Sequence, residues 1–143
     1  MSRTMMIGIA AVLAVLAGGG LAAFLLLGGA GSSAGRAPDD PVIAAGQMAT
    51  QENCTVCHAL YRDDPFRVGP SLWHIVGAEK ARMSGYAYSQ ALANAEGTWT
   101  VAELDAFLAD PHGFMPGTRM TFSGIASLET RREIIVFLAT LED

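Results

Sequence analysis

The stretch Cys54-Thr55-Val56-Cys57-His58 decides how this chain folds. A Cys-x-x-Cys-His run is the pattern that attaches a c-type haem, because each thiol can add across one vinyl group of the porphyrin. Two residues between the thiols match the spacing of the two vinyls, and the adjacent imidazole is then held under the iron. The pattern predicts one haem c bound covalently through Cys54 and Cys57, with His58 as an iron ligand.

Two other uses of a Cys-x-x-Cys pair have less support. A structural zinc site needs four ligands, yet the chain has no further cysteine, and His74 and His112 lie 38 residues apart. A thioredoxin-like redox site belongs in a βαβ unit, and no convincing strand-like alternation occurs in the sequence. Two cysteines this close together also do not form a disulfide framework.

The rest of the sequence predicts an all-α domain over residues 41–143, with three to five helices around the haem. Capping residues mark the helix starts: Asp40 with a proline after it, the Thr100 and Glu103 capping box, and Ser127. Long loops between the helices need something to pack on in so small a domain, and a haem would serve. The predicted helices cover residues 41–51, 88–95, 100–110 and 128–141.

An apolar segment precedes this domain. Residues 5–27 carry no charge, and a helix of 23 residues is about 34 Å long, enough to cross a hydrocarbon layer of about 30 Å. Arg3 precedes the segment and the acidic pair at positions 39 and 40 follows it. The positive-inside rule then leaves the N-terminus in the cytoplasm and exports the domain.

These observations divide the chain into three parts. We predict an uncleaved signal-anchor transmembrane helix within residues 1–27, a flexible linker at 28–40 and a haem domain at 41–143. The alternative is a cleaved signal peptide, since the residues Ser-Ser-Ala at 32–34 form a passable cleavage site.

Charge excludes one class of partner. Eight of the nine Lys and Arg residues lie from Arg36 onward, together with all fourteen Asp and Glu residues, which gives the exported part a formal charge of −6. No basic stripe with interleaved aromatic residues is present, so nucleic acid is not a predicted partner. An acidic body favours partners with basic docking patches.

Further blocks resemble class I cytochrome c, in its mitochondrial-like branch, over about residues 42–138. Gly46 lies eight residues before Cys54, where the first helix of this family closely crosses the last one. Residues 69–72, Gly-Pro-Ser-Leu, are similar to the Gly-Pro-x-Leu block of the family. That likeness implies that the Pro70 carbonyl accepts the N–H of the proximal histidine and fixes its orientation.

The resemblance also implies residues on the other side of the haem. Tyr88, within the Gly-Tyr-Ala-Tyr-Ser block at 85–89, and Trp99 are similar to residues that bury and hydrogen-bond a haem propionate. Residues 116–120, Pro-Gly-Thr-Arg-Met, are similar to the loop whose methionine sulfur binds the iron, with Thr118 among the cofactor-binding residues. The resemblance therefore implies iron ligation by His58 and Met120.

The residues themselves agree with Met120 as the second ligand. It lies in a Pro/Gly loop between two predicted helices, where a long and flexible side chain can reach the iron. The resemblance implies Met120 and not Met115 as this ligand, and His74 is expected on the surface or in a structural contact. A tyrosine that bonds the sulfur in many family members is replaced by Phe107. Thr50 stands where the first helix usually has an aromatic residue, which predicts weaker packing against the last helix.

The function implied by this resemblance is single-electron transport. The chain is expected at the outer, periplasmic face of a bacterial inner membrane, in a respiratory or photosynthetic chain. It would take electrons from a cytochrome bc complex and pass them to cytochrome c oxidase or another acceptor. Iron closed on both sides leaves no open position for a substrate, so no enzyme activity is expected. The alternatives are a cytochrome subunit of a membrane dehydrogenase and, with less support, a peroxidase that opens when Met120 dissociates.

Overall fold

The computed structural model describes residues 40–142, and the regular elements in that range are five helices. Apart from one isolated bridge between Glu79 and Thr98, these residues contain no β-structure. The prediction of an all-α domain is confirmed for this part of the chain. In chain order the helices are α1 (Pro41–Asn53), α2 (Gln90–Ala93), α3 (Val101–Ala109), α4 (Pro111–Phe114) and α5 (Leu128–Leu138).

The predicted membrane anchor at residues 1–27 lies outside the described residues, as does all of the predicted linker except its last residue. Between residues 40 and 142, none of the helices combines the length and the apolar character that a membrane crossing requires. The boundaries predicted for the anchor and the linker therefore stay predictions.

Helix α1 begins where its capping residues predict. The Asp40 carboxylate accepts a hydrogen bond from the Val42 N–H at 2.9 Å, and Pro41 takes the first helical position, where its missing N–H has no effect. The helix runs two residues beyond the predicted end, because the Cys54 N–H still donates to the Thr50 carbonyl at 2.9 Å. The last turn of α1 thus leads directly into the Cys-x-x-Cys-His motif.

Helices α1 and α5 cross at Gly46. A Cβ atom at this position would overlap the Glu133 carbonyl group and lie 2.9 Å from Cβ of Phe137, so only glycine permits the contact. One turn further on, Thr50 is fully buried and its hydroxyl donates to the Gly46 carbonyl at 2.7 Å. The threonine that replaces the expected aromatic residue therefore has its polar group satisfied within the helix.

Two helices, and not one, lie between the capping box and the methionine loop. The Thr100 hydroxyl accepts from the Glu103 N–H at 3.2 Å and the Glu103 carboxylate accepts from the Thr100 N–H at 3.1 Å, which confirms the capping box. Pro111, predicted as a stop, also opens α4, where Asp110 caps the helix by accepting from the Gly113 N–H at 2.9 Å. Proline suits the first position of a helix as well as the end of the preceding one.

The other two helices are shorter than predicted, although their starts agree with the sequence. Ser89 caps α2 by accepting from the Leu92 N–H at 3.2 Å, and this helix is a single turn. Ser127 caps α5 by accepting from the Thr130 N–H at 3.2 Å. The N–H groups of Thr140 and Leu141 donate to carbonyls three residues back, a tighter turn that ends the α-helix.

The core forms where α5 packs on both α1 and α3. Its buried apolar side chains are Ile43, Ala49, Leu60, Trp99, Leu104, Phe107, Leu108, Met115, Ile134, Ile135, Phe137, Leu138 and Leu141. A second layer packs against this core but stays partly exposed, and it consists of Leu72, Trp73, Ile75, Val76, Ala91, Leu92, Ala95, Met120 and Ile125. The domain therefore has an apolar surface of connected side chains that the protein covers only in part.

Candidate functional site

The Cys-x-x-Cys-His motif forms a tight turn after α1. The N–H groups of Cys57 and His58 both donate to the Cys54 carbonyl, at 3.0 Å and 2.8 Å. The Cys54 thiol is buried and that of Cys57 partly buried, and no disulfide joins them. Burial, together with the neighbouring Cys57, raises the pKa of the Cys54 thiol to about 11, so the thiol is neutral at pH 7.

A backbone carbonyl holds the His58 imidazole from behind. Nδ1 of His58 lies 2.6 Å from the carbonyl oxygen of Pro70. Because a carbonyl can only accept, Nδ1 carries the proton and Nε2 keeps its lone pair. Burial lowers the pKa of His58, and the hydrogen bond to Pro70 opposes this shift. The ring is therefore neutral at pH 7 and suited to bind a metal through Nε2.

Gly69 packs against the same imidazole ring. A Cβ atom at Gly69 would lie 2.5 Å from Cε1 and 2.7 Å from Nδ1 of His58, closer than any carbon side chain can approach. The Gly69 N–H also donates to the Cys57 carbonyl at 2.7 Å. The loop at Gly69 and Pro70 thus fixes both the tautomer and the plane of the histidine.

Tyr88 is connected to this loop through Met83. The Met83 N–H donates to the Tyr88 hydroxyl oxygen at 3.2 Å, and the Met83 sulfur accepts from the Ser71 N–H at 3.1 Å. Sequence reasoning missed this link, because a lone methionine gives no signal that separates it from a core residue. None of the described residues accepts a hydrogen bond from the Tyr88 O–H.

Trp99 lies in the core with its ring against two others. The indole is 5% exposed, and its ring centroid is 5.1 Å from that of Phe107 and 6.5 Å from that of Phe114. Phe107, in place of the expected tyrosine, therefore packs on the Trp99 ring. No acceptor for the indole N–H is found within residues 40–142, and this nitrogen is not sealed inside the core.

Met120 lies in the loop between α4 and α5, as predicted. Its N–H donates to the Thr118 hydroxyl at 3.3 Å, and the Thr118 N–H donates to the Met115 carbonyl at 3.0 Å. Met115 is 7% exposed and belongs to the core, whereas Met120 is part of the partly exposed apolar layer. Of the two methionines in this region, Met120 is the one whose side chain the core does not enclose.

A buried arginine that sequence reasoning missed fixes the end of the same loop. Arg131 donates from Nε to the Asp105 carboxylate at 2.8 Å, and from Nη1 to the carbonyls of Ile125 and Ala126 at 2.8 Å and 3.0 Å. It is 8% exposed. The only signal in the sequence was its spacing, since Arg131 lies three residues before Ile134 and so on the apolar face of α5.

The remaining histidines do not form a second site. His74 is exposed, as expected, and His112 is exposed on α4. Over residues 40–142, no three side chains of His, Cys, Asp or Glu gather in a way that could hold a metal ion. The zinc alternative therefore has no ligand set in this part of the chain.

Known proteins similar to this chain are cytochromes c. A cytochrome c homolog of Rickettsia felis is 42% identical over 89 residues, which are 62% of this chain and 51% of that protein. The cytochrome c of Trypanosoma brucei brucei is 41% identical over 76 residues, 53% of this chain and 82% of that protein. No family model matches the chain.

A solved structure with a similar fold is also a cytochrome c. The solved structure of cytochrome cH from Methylobacterium extorquens has a TM-score of 0.63 and 39% identity to this chain, over 68% of this chain and 97% of that structure. The chain spans about half the length of the Rickettsia proteins that it matches.

The residues of this domain fit the haem that the family implies. Cys54 and Cys57 carry free thiols that no disulfide joins. His58 has an unprotonated Nε2 that can bind a metal. The Tyr88 O–H and the Trp99 N–H are donors that no described residue uses, which suits them to a carboxylate of a porphyrin. The partly exposed apolar layer supplies a surface on which a flat apolar group can pack.

The cysteine motif, the helical fold and the sequence identity all indicate the same protein family. The comparison with cytochrome cH combines 39% identity with coverage of nearly that whole structure. The chain belongs to the class I cytochrome c family, and its haem c is bound covalently through Cys54 and Cys57.

Proposed function

We propose that this chain is a membrane-tethered cytochrome c of the bacterial inner membrane, with its haem domain on the periplasmic side. It takes single electrons from a cytochrome bc complex and passes them to cytochrome c oxidase or another acceptor in the same membrane. The observation that carries the electron-transfer role is the 2.6 Å contact of His58 with Pro70, directly beside the cysteine pair. The uncharged segment at residues 5–27 supports the tether.

The proximal residues have separate tasks in this proposal. Cys54 and Cys57 fix the porphyrin by thioether bonds, and His58 binds the iron through Nε2. Pro70 keeps the proton on the far nitrogen of the ring by accepting its N–H. The haem supplies a one-electron couple at its iron. A ligand that cannot rotate or change tautomer favours electron transfer with little rearrangement.

The distal residues complete the site. Met120 would hold the iron through its sulfur, and the Thr118 hydroxyl accepts from the Met120 N–H at 3.3 Å. A thioether ligand raises the reduction potential compared with a second histidine. Tyr88 and Trp99 donate their unused O–H and N–H to the haem propionates. With His58 and Met120 both holding the iron, no position would be open for a substrate, which favours an electron carrier over a peroxidase.

The tether limits where the partners can be. A Gly/Ser/Ala-rich linker of the size predicted at residues 28–40 spans about 20 Å as a coil. The domain then stays near the membrane surface, and its effective concentration is high around partners in the same membrane. The donor and acceptor complexes should therefore lie next to each other.

The test is the rate of quinol oxidation through the oxidase in membranes that contain the full chain. A linker four times as long lowers the effective concentration about eightfold, so turnover should fall, and cutting the linker should lower it further. The control is a linker of the original length with its residues in a different order, which should have normal turnover. An inhibitor of the bc complex should stop reduction of the haem.

Two results would contradict this proposal. Unchanged turnover with both the longer and the cut linker would mean that the tether has no role. A stable complex with one dehydrogenase, recovered in fixed stoichiometry after gentle detergent extraction and sizing, would instead make the chain a subunit of that enzyme.

A further inference from the structure

Lys80 lies beside Trp99 and is largely enclosed by the protein. Its side chain is 9% exposed, and its ammonium donates to the Glu103 carboxylate at 2.7 Å and to the Glu96 carbonyl at 3.0 Å. The same nitrogen lies 5.7 Å from the centroid of the Trp99 ring, which is within range of a cation–π contact. A lysine enclosed to this extent requires such partners, so its charge has one fixed position.

The carboxylate that binds Lys80 is itself fixed. The other oxygen of Glu103 accepts from the Thr100 N–H at 3.1 Å and from the Thr100 hydroxyl at 3.0 Å. These bonds are part of the capping box at the start of α3. The Lys80 ammonium is thereby tied to the N-terminus of the helix that immediately follows Trp99.

The backbones of the two segments are also paired. The Trp99 N–H donates to the Ala78 carbonyl and the Gly77 N–H donates to the Trp99 carbonyl, both at 2.8 Å. The Lys80 N–H donates to the Gly97 carbonyl at 3.0 Å. Lys80 therefore extends over the Trp99 ring from a segment that already fixes the Trp99 backbone.

Aromatic rings restrict the indole further. Phe107 packs on Trp99 with an angle of 49° between the ring planes, and Phe114 lies at an angle of 30°. Since no described residue accepts from the indole N–H, the direction of this N–H is set by contacts on the ring alone. The Lys80 ammonium is the one contact among them that is both charged and hydrogen-bonded to another element.

We propose that Lys80 is a positioning residue for Trp99. The Lys80–Glu103 pair holds the indole in the orientation in which its N–H donates to a haem propionate. This inference rests on the role proposed above for Trp99 and adds a residue that the family motifs did not indicate. The Lys80 ammonium would also favour the reduced state of the haem, because its positive charge offsets the negative charge of the haem propionates.

The test measures hydrogen exchange of the Trp99 indole N–H by NMR in the reduced, full-length holoprotein in detergent. The signal is identified by its absence in Trp99→Phe, and the Trp73 indole serves as the internal reference. Lys80→Met should speed exchange at Trp99 about tenfold, the loss of about one hydrogen bond, without changing Trp73. Lys80→Arg keeps the charge and the donors, so its exchange rate should stay near the wild-type value.

Redox titration of the same proteins provides a second readout. Lys80→Met leaves the Glu103 carboxylate unpaired, so the midpoint potential should fall. Glu103→Gln removes a negative charge, so its potential should rise. In the double variant Lys80→Met with Glu103→Gln the potential should return towards the wild-type value, whereas exchange at Trp99 should stay fast. This pattern would distinguish the effect of the Lys80 and Glu103 charges on the potential from their effect on the orientation of the Trp99 indole.

Two outcomes would overturn the proposal. If Lys80→Met unfolds more easily but keeps the wild-type exchange rate and potential, Lys80 only stabilises the fold. If the Trp99 N–H of the wild type exchanges as fast as an unprotected indole, Trp99 does not bind the propionate, although haem attachment and electron transport would stand. Should Lys80→Met not fold, Glu103→Leu decides, because it removes every acceptor on this side chain and wild-type exchange in that variant contradicts the positioning role.

Discussion

Nδ1 of His58 and the carbonyl oxygen of Pro70 lie 2.6 Å apart. The neighbouring residue Gly69 packs on the same ring and donates to the Cys57 carbonyl. The proposed axial ligand is therefore oriented by two consecutive residues of one loop. Since these contacts act directly on the His58 ring, small changes in them should affect the haem site before they affect the fold.

Gly69→Ala should disrupt the site. The added methyl group would lie 2.5 Å from Cε1 of His58, so the ring must turn and its hydrogen bond to Pro70 is lost. We expect a lower yield of covalently bound haem and an altered absorption spectrum of the reduced protein. The measurement is the pyridine haemochrome spectrum per mole of purified chain.

Val68→Ala is the matched control for this change. Val68 precedes the same loop and is 76% exposed, so removing its side chain should leave the haem yield and the spectrum unchanged. A Gly69→Ala protein with normal haem content and a normal spectrum would show that the plane of the His58 ring does not depend on this glycine.

Gly46→Ala should destabilise the domain without touching the haem site directly. The new methyl group overlaps the Glu133 carbonyl group, and α1 must move away from α5. Overpacking of this kind typically costs up to about 3 kcal/mol, which denaturant unfolding would measure. Gln51→Ala, on an exposed position of the same helix, should change the free energy of unfolding by less than about 0.5 kcal/mol. Equal stabilities of the two variants would contradict the close helix crossing.

Arg131→Met should loosen the methionine loop. The substitution leaves the Asp105 carboxylate and two loop carbonyls without their donor. Breaking a fully buried pair costs about 3–5 kcal/mol; because Asp105 is one-third exposed, we expect about 2 kcal/mol. The far-red absorption band of the sulfur–iron bond should also be weaker than in the wild type.

Arg132→Met tests whether this effect belongs to the buried position. Arg132 is the next residue of α5 and is exposed, so its loss should change neither the stability nor the absorption band. If both variants behave alike, the contacts of Arg131 with the loop carbonyls do not hold the loop.

Acid should lower the free energy of unfolding by protonating the Glu103 carboxylate. The hydrogen bond from Lys80, together with those from Thr100, lowers the pKa of Glu103 from 4.5 to about 2. A carboxylate whose pKa is lower in the folded state stabilises the fold above pH 4.5, and this contribution is lost as the pH falls towards 2. Denaturant unfolding should therefore show wild type and Glu103→Gln converging between pH 5 and pH 2. A difference that is constant over this range would contradict the pairing.

Short-range chemistry made much of the fold predictable. The caps at Asp40, Thr100 and Ser127 accept from N–H groups two or three residues ahead. The start of each of these helices can therefore be predicted from a few neighbouring residues. The end of α1 was less predictable, because its last turn depends on the bonds of the cysteine motif. Pro111 was ambiguous for a similar reason, since proline ends one helix and suits the start of the next.

Long-range pairs could not be predicted in this way. Arg131 and Asp105 are 26 residues apart, and Lys80 and Glu103 are 23 apart. Each residue alone resembles an ordinary surface charge, and only the fold brings the partners together. The haem motif was the exception, because haem attachment and iron binding require its two thiols and its histidine to be close together in the sequence. The Pro70 contact came from a resemblance and not from physical reasoning about the sequence.

Covalent attachment of the haem is the claim on which the rest depends. Trypsin releases the motif in one peptide, residues 37–62, since no lysine or arginine lies between Arg36 and Arg62. After extraction of the purified full-length protein with acidified organic solvent, the pigment should stay with the polypeptide, and mass spectrometry should find this peptide carrying one haem. Pigment that enters the solvent, or a peptide in which Cys54 and Cys57 are both free thiols, would contradict the account.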